Sequence, residues 1–248
     1  MDRRDGQHRG WPQGAGQQRE IWPNRWAAGL ALAQQLTAWR NRAADTTVIG
    51  LPRGGIAVGA AVAQQLNLPL ASWSVRKLAL PQQPEYALGA IAAGGAVVWN
   101  TAALRQVAMA PQSKQQLIDA ESPELSRRQQ RFGDPPGSAL RGRQLIVVDD
   151  GIATGMTVLA ALDSLHQLAP AALVLAVPVL DRELVASLEA RVDSLVAVQV
   201  VDGLQAVGAY YDDFGQLSDD DVLALLQAAQ RSRQNKHHQR QCAGDAVL

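Results

Sequence analysis

The sequence predicts an α/β fold, a mainly parallel sheet with helices on both faces, and three observations carry that expectation. Short apolar runs recur along the chain, among them TTVIGL, QLIVVDD and ALVLAVPV. They are apolar throughout rather than alternating, as strands covered on both faces are. Helical patterns separate them, and strand–helix alternation is the mark of parallel pairing. A length of 248 residues suits one sizeable core and is short for two full domains.

Taken in order, residues 1–20 are rich in Gly, Gln and Arg and read as a poorly ordered tail. A helical run, AAGLALAQQLTAW, follows, flanked by Trp22, Trp26 and Trp39, whose expected role is core packing or a surface seam. TTVIGL (46–51) is the first strand, followed by a Gly-punctuated turn and a helix over 56–66. LASWSVR (70–76) reads as the next strand. Residues 77–99, with Pro81, Pro84 and several glycines, read as a long loop plus a hairpin. Residues 111–132 are expected to be helical in part and interrupted at Pro123, whose ring removes a helix hydrogen bond. Then come a strand at 144–150, a helix at 157–168, a strand at 172–179, a helix near 181–190 and a strand at 194–201. The closing helix, 219–230, starts with acidic residues, which the positive end of a helix favours. One domain is thus expected over 21–230, with a polar basic tail over 231–248.

Composition narrows the function classes. Lys plus Arg is 23 and Asp plus Glu is 23, so no broad field for nucleic acid or membranes is expected. The single cysteine, Cys242, excludes an internal disulfide and a CxxC-type zinc site. No stretch approaches the roughly 18 apolar residues of a membrane span. The first twenty residues lack the apolar run of a secretory signal. A cytoplasmic protein with no membrane or nucleic-acid partner is the expectation.

The strongest chemical signal is VVDDGIATGMT, residues 147–157. A buried strand ends in two carboxylates, Asp149 and Asp150, then a small-residue turn, then a helix. N–H groups at a helix start, with the Thr154 and Thr157 hydroxyls, make an anion cradle suited to a phosphate monoester. Carboxylates do not belong beside that phosphate. They suit neutral hydroxyls a few Å away, or a hydrated metal ion. A sugar phosphate meets both demands. The ending of a Walker A loop is missing, as is a GxGxxG turn. A second segment, Gly50-Leu51-Pro52-Arg53-Gly54-Gly55, follows the first strand. Its glycines permit positive φ and close backbone approach, and Arg53 offers forked donors to phosphate oxygens.

VVDDGIATGMT resembles the phosphoribosyl diphosphate (PRPP) motif of the type I phosphoribosyltransferases. The resemblance implies that Asp149 and Asp150 hold the ribose hydroxyls. It implies that Ala153, Thr154, Gly155, Met156 and Thr157 wrap the 5-phosphate, and that Arg53, Gly54 and Gly55 form the pyrophosphate loop. It further implies a small hood and a flexible lid after the second strand, with Lys77 neutralising pyrophosphate and Glu85 touching base or metal. Tyr211, beside Tyr210 and Phe214, is a candidate for stacking on the acceptor, with core packing of the same aromatics the alternative.

LPRGG, VRKL…PEYALGAIAAGG and AVGAYYDDF extend the likeness to a subgroup of phosphoribosyltransferases over most of 22–230. The implied activity is transfer of ribose 5-phosphate from PRPP to a nitrogenous acceptor with release of pyrophosphate, with Mg²⁺ carried mainly by PRPP. A homodimer is implied too. The alternative is a PRPP- or nucleotide-sensing regulator that has lost the transfer reaction. One departure bears on the acceptor. Enzymes for 6-oxopurines carry Asp before the Thr-Gly of the phosphate loop, and Ala153 stands there.

Overall fold

The structure is a computed structural model that describes residues 21–80, 82, 87–107 and 110–245, with the backbone alone described at 111 and over 236–245. The tail expected over 1–20 lies outside the described residues. Eight strands and eight α-helices are described. In chain order they are α1 (Arg25–Gln35), β1 (Thr46–Gly50), α2 (Gly54–Leu66), β2 (Leu70–Ser72), β3 (Val75–Ala79), β4 (Ala87–Ala92), β5 (Val97–Trp99), α3 (Thr101–Gln106), α4 (Pro111–Phe132), α5 (Gly137–Leu140), β6 (Gln144–Val148), α6 (Met156–His166), β7 (Ala172–Asp181), α7 (Val185–Glu189), β8 (Ser194–Val201) and α8 (Asp219–Asp245).

The main sheet is five-stranded and parallel, in the order β2-β1-β6-β7-β8. Successive side chains on a strand point to opposite faces, and the two cores follow that alternation. Val48, Ile146, Val148, Val174 and Ala176 pack under α1, α2 and α8. Their neighbours Ile49, Leu145, Val147, Leu173 and Leu175 pack under α6 on the other face. Apolar residues at successive positions in the middle of these strands are what two covered faces require.

The second sheet is small and antiparallel, in the order β3-β4-β5. It rests on α6, where the Trp73 indole N–H donates to Ser164 Oγ at 3.0 Å and the Ser164 hydroxyl donates to the Ala93 carbonyl. The sequence reading of 70–76 as one strand is corrected here. The chain leaves the main sheet after Ser72 and joins the small one at Val75. The Asp134 carboxylate at the end of α4 fixes the break, accepting the Ser74 N–H at 2.7 Å and the Ser72 hydroxyl.

A second correction concerns Pro123, which lies inside an unbroken 22-residue α4. Leu125 and Phe132 are buried on its inner side. Glu124 binds Arg127 at 2.6 Å and Arg128 at 2.9 Å just past the proline. Tertiary contact outweighs the lost backbone bond. At the carboxyl end, α8 runs past 230, where the sequence reading began a tail, and continues to Asp245. Among the described residues no helix is long and apolar enough to cross a membrane.

Candidate active site

Two turns meet at the carboxyl edge of the parallel sheet. After β1, the Leu51 N–H donates to the Val148 carbonyl at 2.9 Å, which ties the first turn to the end of β6. The Pro52–Arg53 peptide is cis. Gly54 and Gly55 then open α2 against the second turn. A Cβ at 55 would run into the Val148 carbonyl and stand 3.0 Å from Asp149 Cα, and one at 54 would run into the Asp150 carboxylate. Neither glycine has positive φ, so close approach is what requires them.

The second turn is pinned from β7. The Ile152 N–H donates to Val179 O at 2.9 Å, and the Asp181 N–H returns to Ile152 O at 3.0 Å. Gly155, at φ +74°, turns the chain into α6. The N–H groups of Thr154, Gly155, Met156 and Thr157 donate to no other described residue, as the first turn of a helix dictates. Thr154 is exposed, and Met156 and Thr157 are half-buried. The arrangement can receive an anion through backbone donors without a side-chain cation.

Asp149 and Asp150 are half-buried, not the freely solvated turn residues that a polar pair after a strand suggests. Burial pushes the Asp149 carboxyl well up, with repulsion from Asp150 adding to it. Arg25 and Lys77 oppose that rise. Burial also raises Asp150, against the pull of Arg25. Asp149 Oδ1 accepts the Asp150 N–H at 2.9 Å. Two acceptor-only groups held together in this way favour hydroxyl or cationic partners over a phosphate.

Three features surround the pair, of which Arg25 and Asp181 escape sequence reasoning. Arg25, at the start of α1, places its Nε 2.8 Å from Asp150 Oδ2. Tyr211 is buried and donates its hydroxyl to the Asp150 carbonyl at 2.6 Å, with burial raising its pKa. It lies between Trp22 and Phe214, with ring centroids at 5.6 and 4.9 Å, so it braces the turn from behind instead of offering an open stacking face. Asp181 accepts the N–H groups of Glu183 at 2.8 Å and Leu204 at 2.6 Å, joining the end of β7 to the hood. That hood packs Trp22, Leu204, Val207, Tyr211 and Phe214 around Ala153. Sequence spacing held no sign of Arg25, which lies 125 positions from its partner.

Of the remaining expected residues, Arg53 is half-buried and Lys77 is exposed on β3, and neither side chain makes a hydrogen bond or ion pair with another described residue. Glu85 lies outside the described residues, as does Tyr86. Among the described residues no group of three or more His, Cys, Asp or Glu could hold a metal ion.

The phosphoribosyl transferase domain model matches residues 24–211. Two proteins from strains of Mycobacterium tuberculosis, named phosphoribosyl transferases by inference, are each 39% identical over 218 residues. That alignment takes in 86% of this chain and 48% of theirs, so the chain spans about half the length of the curated relatives it matches. The crystal structure of a Thermus thermophilus protein, TT1426, superposes with a TM-score of 0.67 at 40% identity, covering 83% of this chain and 97% of that one. The chain belongs to the phosphoribosyl transferase family.

Proposed function

We propose that the chain transfers ribose 5-phosphate from PRPP to a nitrogenous acceptor and releases pyrophosphate. The observation that carries this reading is the meeting of the two turns. A half-buried carboxylate pair stands between a helix start with unpaired N–H groups and the glycines that open α2. In this reading the 5-phosphate lies on the N–H groups of 153–157, and the ribose hydroxyls donate to Asp149 and Asp150. The diphosphate runs along the 53–55 turn, with Arg53 and Lys77 as the cations left for it.

Transfer breaks the C1–O bond to pyrophosphate and forms a C1–N bond, while the acceptor nitrogen gives up its proton to water or to the departing pyrophosphate. Positive charge grows on the sugar in between. The protein then acts by position and charge rather than as a nucleophile. In this reading the Mg²⁺ ion arrives with the diphosphate as part of the substrate. Ala153 has no titratable group to take the acceptor's proton, so an acceptor that needs a base beside it is disfavoured.

The test is pyrophosphate release from Mg²⁺–PRPP with nucleobases and small amines added singly. The variant carrying Asp149→Asn and Asp150→Asn serves as the blank. Release with one acceptor, lost in the double variant, is the expected outcome. Equal release by the double variant would refute the sugar-site assignment.

A further inference from the structure

The two carboxylates of the 149–150 turn look equivalent in the sequence and are not equivalent in the fold. Asp149 receives the Asp150 N–H and no bond from a side chain among the described residues. Asp150 Oδ2 instead receives the Arg25 Nε, and the two side chains are 13% and 16% exposed, so water screens them little. The guanidinium is held from two further sides. Its Nη1 donates to Gly215 O at 2.9 Å, and its carbon stands 3.7 Å from the centre of the Phe214 ring. Its backbone is fixed as well. Arg25 is the first residue of α1, and Asn24 caps that helix by accepting the Ala27 N–H at 3.0 Å. Arg25 also stands close to Gly54, where an added Cβ would be 3.1 Å from its Nε. One side chain thus touches the hood and the carboxylate pair and borders the first turn.

We infer that Arg25 is a positioning residue for sugar recognition, clamping Asp150 in one orientation so that its other oxygen and the Asp149 carboxylate are set to take ligand hydroxyls. The inference rests on the ribose reading of the turn. Two adjacent buried carboxylates repel each other, and a fixed cation on one side offsets that repulsion without entering the sugar's space. An arginine suits this position because a planar fork can meet a carboxylate and a carbonyl while lying on a ring. Lysine would keep the charge and lose the fork.

The test compares ribose 5-phosphate with its 2-deoxy and 3-deoxy forms by calorimetry, in the intact chain and in Arg25→Met and Arg25→Lys. The wild type is expected to prefer the full diol. In Arg25→Met that preference should shrink roughly tenfold for at least one position, the worth of one hydrogen bond to a charged group. Affinity for the deoxy sugars, which reports the phosphate cradle, should fall far less. Arg25→Lys should recover part of the preference, a result that general damage to the fold does not give. Should the Met variant fail to fold, Arg25→Lys carries the test through a reduced preference of its own. An undiminished preference in a folded variant overturns the role of Arg25 and leaves the ribose reading standing. A wild type that binds the sugar phosphates without preference overturns the ribose reading and this inference with it.

Discussion

Asp149 and Asp150 are charged groups held where charge is costly. Both carboxyls are raised, mainly by burial. Between the ordinary carboxylate value and the raised one, the folded chain therefore binds more protons than the unfolded chain. Stability then falls as pH rises through the raised value, and once ionised the pair costs stability. Asp149→Asn keeps an oxygen to accept the Asp150 N–H and removes one charge. Measured above the raised value, its melting midpoint should rise, by about 2–4 °C for each kcal/mol relieved in a chain of this size. Pyrophosphate release should be lost in the same variant. A lowered midpoint, measured by calorimetry, would contradict the account of the buried pair. A strained functional site that the rest of the fold supports has this signature.

At the scale of elements, the glycine turn that opens α2 is the place where a single methyl group should be felt. In Gly55→Ala the new Cβ meets the Val148 carbonyl and Asp149 Cα, so either α2 or the end of β6 must shift. The expected cost is about 1–3 kcal/mol in denaturant unfolding, the usual range for forced overpacking. Stability equal to wild type would show that the two turns do not press together as described.

Much at this scale was legible in the sequence. The apolar runs at 46–51, 144–150, 172–179 and 194–201 are β1, β6, β7 and β8, because strands covered on both faces carry consecutive apolar residues that stand out as a run. The break inside 70–76 was not legible. It depends on Asp134, some sixty residues away, and no local pattern reports a contact of that separation. The continuity of α4 through Pro123 was hidden for a related reason, since Leu125 and Phe132 are anchored by tertiary packing. The carboxylate turn and the glycine turn stood out because each is a local segment. Arg25 and Asp181 did not, because their partners are distant in sequence or are backbone groups of another loop.

On the scale of the whole molecule, a parallel sheet brings both turns to one edge, and crevices at the carboxyl ends of such strands are where ligands bind in open α/β sheets. The small antiparallel sheet and the hood flank that edge without interrupting the main sheet. Family membership over residues 24–211 takes in both turns, Arg25 and the hood as far as Tyr211. In the proposed reaction the acceptor would lie on the hood side, near Ala153, and the sugar beside the charged groups. Division of labour between those halves is the central claim. The most direct test is a crystal structure of the chain with Mg²⁺–PRPP bound. The account predicts the 5-phosphate on the N–H groups of 153–157, the ribose diol on Asp149 and Asp150, and the diphosphate along 53–55. PRPP bound with its ribose turned away from the carboxylate pair, or seated elsewhere on the molecule, would contradict it.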